Sequence, residues 1–135
     1  MKKIFFLLSL LLVLTSCNLD DEPKNEYVLL PVEDVVMPTE FNINEVNPIL
    51  IKYRRPTTCH LYNGLYYNAE DYTRTVAISF VKLNENNCLD ASEEGPYEVY
   101  LNFKPTEITT YHFKFWLGVN SDGQDEFLEY DVEVN

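Results

Sequence analysis

Three cysteines and two histidines carry most of the reactive chemistry this chain could perform. Cys59 and Cys88 lie in the body of the sequence, where an even pair in an oxidising compartment reads as a disulfide. It would close a loop of about 28 residues, for which chain entropy gives roughly 3–4 kcal/mol. Two free thiols, or a metal pair completed by His60, are the alternatives, and the pair lacks the CxxC spacing of zinc sites. His60 and His112 each fall in a strand pattern, on the side opposite the expected core. No spacing supplies either with a nucleophile and an orienting acid, so no catalytic residue is assigned and the chain is read as a non-enzyme. Gly118 to Gly123, with Glu129 beyond, approaches calcium-loop spacing, but the first ligand position holds Gly118 and no helices flank it. Asp122-Gly123 is read as a hairpin turn, with a calcium site built from Asn120, Asp122, Asp125 and Glu126 as the lesser alternative. Tyr62, Tyr66, Tyr67 and Tyr72 cluster in sequence and could form a binding surface, since each offers a rigid ring and a hydroxyl.

The third cysteine has a different context. Met1-Lys2-Lys3 is a positive start, Ile4 to Leu14 is an apolar run interrupted only by Ser9, and Leu14-Thr15-Ser16-Cys17 closes it. That order is a secretory signal, too short for a spanning helix of roughly 20 apolar residues. The last four residues resemble the lipobox of bacterial lipoproteins. The resemblance implies that residues 1–16 are removed and that Cys17 is diacylated and anchors the protein to a membrane. Asp20-Asp21-Glu22 follows, and resembles the acidic export tag of Bacteroidota lipoproteins. That implies the outer face of the outer membrane, with a periplasmic-facing position as the alternative. Residues 17–26 then form an acidic tether ahead of a domain spanning 27–135.

The full chain of 135 residues has a formal net charge of -12, and loss of Lys2 and Lys3 makes the mature form more acidic still. An acidic surface excludes nucleic acid as a partner, because phosphate binding needs clustered Lys and Arg. In the mature chain the only close basic pair is Arg54-Arg55, read as a solvated strand end. No Gly-rich phosphate loop, internal repeat or cofactor motif is present, and no cofactor is expected. About 110 residues beyond the tether suffice for one core.

Aromatic and β-branched enrichment points to sheet. Tyr27 to Val36 is an edge strand or two short pieces, because Pro31 removes a ladder donor. Ile49 to Tyr53 is a dense apolar run suited to a central strand. From Cys59 to Tyr67, Cys59, Leu61, Asn63 and Leu65 alternate with His60, Tyr62, Gly64 and Tyr66, although Asn63-Gly64 could equally turn a hairpin. Thr73 to Leu83 points Val76, Ile78 and Phe80 one way, with a bulge expected after Phe80. Tyr97 to Phe103, Tyr111 to Leu117 and Phe127 to Val134 complete about seven strands, with Asn84 to Pro96 as a long polar connection.

The expected fold is an all-β, antiparallel, immunoglobulin-like sandwich. Tyr111 to Trp116, a turn, then Glu129 to Val134 looks like the closing hairpin of such a domain, while the cysteine positions do not fit the antibody family proper. The segment from about residue 46 to 134 resembles the C-terminal sandwich of small Bacteroidota lipoproteins such as the NigD-like proteins. The function expected is an accessory or binding role at the envelope, toward a protein or a glycan. A structural or inhibitory envelope protein is second and a small hydrolase third.

Overall fold

The computed structural model describes residues 24–135, so the signal segment, Cys17 and the acids Asp20, Asp21 and Glu22 lie outside the described residues. Eight strands form two sheets: β1 (Glu26–Leu30), β2 (Asp34–Val36), β3 (Asn47–Tyr53), β4 (His60–Glu70), β5 (Thr73–Lys82), β6 (Tyr97–Phe103), β7 (Thr110–Val119) and β8 (Asp125–Glu133). The expected all-β sandwich is what forms, with eight strands where about seven were read. The first reading divides at Pro31: β1 pairs with β5 in the larger sheet, and β2 pairs with β3 in the smaller one. The residues between them cross from sheet to sheet, with Val32 N–H donating to Trp116 O and Glu33 N–H to Lys52 O. Ile49 to Tyr53 lies in β3, central between β2 and β6.

The larger sheet holds β1, β4, β5, β7 and β8. Ile78 of β5 pairs with both Leu30 and Leu65, and Val76 with both Phe115 and Tyr67. Hence β4 covers one edge of β5, while β1 and β7 share the other, end to end. The β5–β7 ladder is parallel, an exception to the antiparallel expectation. A polar β5–β6 connection and β6 in the opposite sheet bring the chain back in the same direction.

Alternation places Ile49 and Ile51 of β3, Val76, Ile78 and Phe80 of β5, and Phe113 and Phe115 of β7 in the core, all fully buried. Phe103 of β6 meets Tyr111 and Phe113 edge-on across the sandwich, with centroids 5.0 Å apart in both pairs. Burying such side chains is the main stabilising term, roughly 1.5–3 kcal/mol each.

Two bulges correct the sequence reading. Tyr62 pairs with Phe80 but Gly64 with Ser79, so Asn63 is the extra residue of a bulge in β4. Gly64 takes the left-handed backbone that ends it (φ 110°), and β4 continues to Glu70 without a hairpin at Asn63-Gly64. The bulge expected after Phe80 is therefore on the strand opposite. Its phase change sends His60 and Tyr62 inward before it and Leu65 inward after it. A second bulge, at Leu117, turns that residue outward, where unbroken alternation from Tyr111, Phe113 and Phe115 would have put it on the core face. The chain reverses instead at Asp71-Tyr72, where Asp71 adopts φ 49°.

Candidate functional site

The first bulge and the sheet registers together build an aromatic cleft at one end of the sandwich. Tyr53 closes β3 and pairs with Tyr97, which opens β6. From the facing sheet, Tyr62 and Phe80 meet them. Tyr53 stacks between Tyr62, with centroids 5.5 Å apart, and Tyr97, at 5.7 Å, while its edge meets Phe80 at 5.6 Å. Arg55, His60 and Leu61 complete the lining of an open cleft of about 390 Å³. That volume lies at the small end of ligand sites, enough for a ligand of one or two rings.

Neighbouring loops fix the cleft's polar groups. Arg55 lies over the Tyr97 ring at 5.5 Å and donates from Nη2 to Glu94 Oε2 at 2.8 Å. Tyr97 O–H donates to the same carboxylate oxygen at 2.9 Å. Arg55 first, then Tyr97, holds the Glu94 carboxyl below the usual carboxylate range, so the latch is ionic at neutral pH. Glu94 sits on the β5–β6 connection, which docks on residues 56–58 through Thr58 N–H to Leu89 O and Ala91 N–H to Pro56 O. The Cys59–Cys88 disulfide, expected from the sequence and present in the structure, joins the same two segments.

His60 is buried on the core side, not opposite it, because the bulge sets its phase. Its Nδ1 is 2.9 Å from Thr57 Oγ1. Burial, then the charge of Lys82 opposite, lowers its pKa, so the ring is neutral at pH 7. Burial likewise raises Tyr53 and Tyr62, keeping both phenols protonated and able to donate. The lining therefore offers aromatic surface, phenol hydroxyls, an imidazole and a guanidinium, and it contains no carboxylate.

The four tyrosines singled out in the sequence do not share a surface. Tyr62 is in the cleft. Tyr66 faces the opposite side of the larger sheet, in a shallow groove with Leu29, Ala77, Trp116 and Phe127. Tyr67 lies inward toward the far end, opposite Val76, and Tyr72 caps the β4–β5 turn, donating to Glu107 at 2.8 Å. Sequence reading missed Tyr53, Arg55, Phe80 and Tyr97 as site residues. Their only trace was a Tyr at each of two strand ends, which become neighbours only through the β3–β6 register.

His112 lies on the outer face, as expected, between Asp131 (Nδ1 to Oδ1, 2.6 Å) and Glu129 (Nε2 to Oε2, 3.2 Å). The hydrogen bond to Asp131 is the largest cause raising its pKa. The calcium alternative is not assembled. Asn120 Oδ1 accepts from Asp122 N–H and Gln124 N–H within its own hairpin, and Asp125 accepts from Trp116 Nε1–H at 2.8 Å. Among the described residues, no group of three or more His, Cys, Asp or Glu is placed to hold a metal ion.

Comparison with known proteins adds one finding. The family model for the prokaryotic membrane lipoprotein lipid attachment site matches residues 1–18, a span that includes Cys17. The chain is thus a membrane-anchored lipoprotein. No curated protein and no solved structure matches it.

Proposed function

We propose that this lipoprotein is acylated at Cys17, displayed on the outer membrane, and binds a glycan through the aromatic cleft without chemical turnover. The observation that carries the reading is the Tyr62–Tyr53–Tyr97 stack beside Arg55 and His60 in an open cleft. Sugar rings offer C–H faces for aromatic contact and hydroxyls for phenol and guanidinium hydrogen bonds. The acids Asp20, Asp21 and Glu22 directly after Cys17 support surface display. A protein partner is the second reading, supported by Tyr27, Leu29 and Tyr66, all substantially exposed. Their register places them together on the outer face of β1, β5 and β4.

The test is an overlay of the full-length lipoprotein, in detergent, on an array of bacterial and host glycans. Binding that disappears in Tyr62→Ala and weakens in Arg55→Gln supports the cleft. Binding that survives both substitutions places the ligand elsewhere. Cys17→Ser should abolish palmitate incorporation, and equal labelling would remove the anchor from the reading. With Asp20, Asp21 and Glu22 replaced by Ala, protease added to whole cells should spare the protein while still cleaving the wild type. Equal cleavage would reduce the acids to a tether.

A further inference from the structure

The registers also decide which way the cleft looks. Glu26 opens β1 opposite Lys82, the last residue of β5, and His60 opens β4 opposite the same Lys82. Neighbouring strands run roughly 4.8 Å apart, so Glu26 and His60 lie about 10 Å from each other across β5. Tyr53 and Tyr97, at the matching ends of β3 and β6, face them from the other sheet. The cleft and the point where the chain arrives from its lipid-attachment segment therefore share one end of the sandwich. The Asp71-Tyr72 turn marks the other end, at the far side of the ten residues of β5 and roughly 30 Å away.

Chain length bounds the distance to the bilayer. Nine peptide units separate Cys17 from Glu26, and a fully extended chain of that length spans about 30 Å at most. A site at the tethered end stays within reach of head groups in the anchoring leaflet. A site at the Asp71-Tyr72 end lies up to roughly 30 Å farther from the attachment point. The lining residues are aromatic, imidazole, aliphatic and guanidinium groups, and the carboxylate bonded to them, Glu94, is ion-paired to Arg55.

We infer that the cleft takes the saccharide head group of a glycolipid in the membrane to which the protein is itself anchored. This rests on the glycan reading above and narrows it from any glycan to a membrane-borne one. Sharing a surface replaces a bimolecular encounter by one at high effective concentration, so affinity for the isolated sugar can be low and occupancy high.

The experiment uses the full-length lipoprotein reconstituted in phosphatidylcholine vesicles. One arm adds monoglucosyl or monogalactosyl diacylglycerol to the vesicles, and the other adds the corresponding free methyl glycoside to the solution. Amide hydrogen exchange at the ends of β3, β4 and β6 is the readout. The expected result is protection by one of the glycolipids at a total saccharide concentration about tenfold or more below that needed with the glycoside. That protection should vanish in Tyr62→Ala, which removes a half-exposed ring of the stack, while urea unfolding and the exchange pattern of the rest of the protein report whether the variant is folded. Protection by glycoside and glycolipid at equal concentrations would overturn the membrane source and leave glycan binding standing. Absence of protection from both glycolipids, alongside a positive glycan overlay, would overturn the inference alone. A negative overlay together with no protection would remove both.

Discussion

Replacing both Cys59 and Cys88 by Ala should destabilise the fold strongly while leaving the cleft in place. The two residues are 29 apart in sequence, so the chain-entropy relation gives a loss of roughly 3.6 kcal/mol at 25 °C. Against the 5–15 kcal/mol typical of a domain, that is a large fraction. The effect should fall on the unfolded state, because the folded loop has other anchors. Thr58 N–H to Leu89 O and Ala91 N–H to Pro56 O are 2.9 and 3.0 Å, and Leu89 N–H donates to Thr58 Oγ1 at 3.0 Å. Those bonds hold the loop against residues 56–58, and the Arg55–Glu94 pair lies just beyond them. Urea unfolding of the double variant, followed by tyrosine fluorescence, should show a lower midpoint. Ring-to-ring NMR contacts among Tyr53, Tyr62 and Tyr97 in the folded protein should be unchanged. A stability loss below about 1 kcal/mol would refute the loop-entropy argument. Loss of the cleft's structure with the fold intact would show that the bridge positions the site as well as restraining the unfolded chain.

Other expectations follow from single contacts. Phe103→Ala should cost about 3–5 kcal/mol in chemical denaturation, because its buried ring meets Phe41, Tyr111 and Phe113; a cost below 1 kcal/mol would mean the two sheets repack around the hole. Gly95→Ala should cost roughly 1–3 kcal/mol, since Gly95 sits at φ 96° and an added Cβ would lie 2.8 Å from Tyr97 N, so Tyr97 must shift. His60, whose folded pKa is depressed, contributes stability that is fully present above the unfolded value near 6.5 and declines as pH falls toward the folded pKa. The stability of wild type relative to His60→Gln should therefore decrease from pH 7 to 5 in urea titrations. His112, with a raised pKa, behaves oppositely: its contribution is full below about 6.5 and lost as pH rises through the higher folded value, so the margin over His112→Gln should shrink from pH 6 to 8.

Alternation in the sequence was a sound guide wherever a strand runs without interruption. Tyr97, Val99, Leu101 and Phe103 point inward along β6, as do Leu128, Tyr130 and Val132 along β8. It failed at Asn63 and Leu117, and for one reason. A side-chain period of two has no memory across a bulge, so one extra residue reverses every face beyond it. Asn63-Gly64 suits a turn as well as a bulge, because both require a residue tolerant of positive φ. Only the pairing of β4 along the whole of β5 selects the bulge.

The cleft was hidden for a related reason. Its lining residues are spread from Tyr53 to Tyr97, and they meet because β3 pairs with β6 across the long excursion through β4 and β5. No local pattern encodes that pairing. Arg55 read as a solvated strand end because its partners, Glu94 and the Tyr97 ring, are some forty residues away. The cysteines were the one legible hint, since a bridge from Cys59 to Cys88 must bring the start of β4 to the β5–β6 connection. That constraint places His60 beside the loop that carries Glu94. It leaves open whether His60 faces the core or solvent, and the bulge at Asn63 decides that. The site thus depends on a local defect in one strand: shifting β4 by one residue would turn Tyr62 outward, unstack it from Tyr53 and open the cleft to solvent.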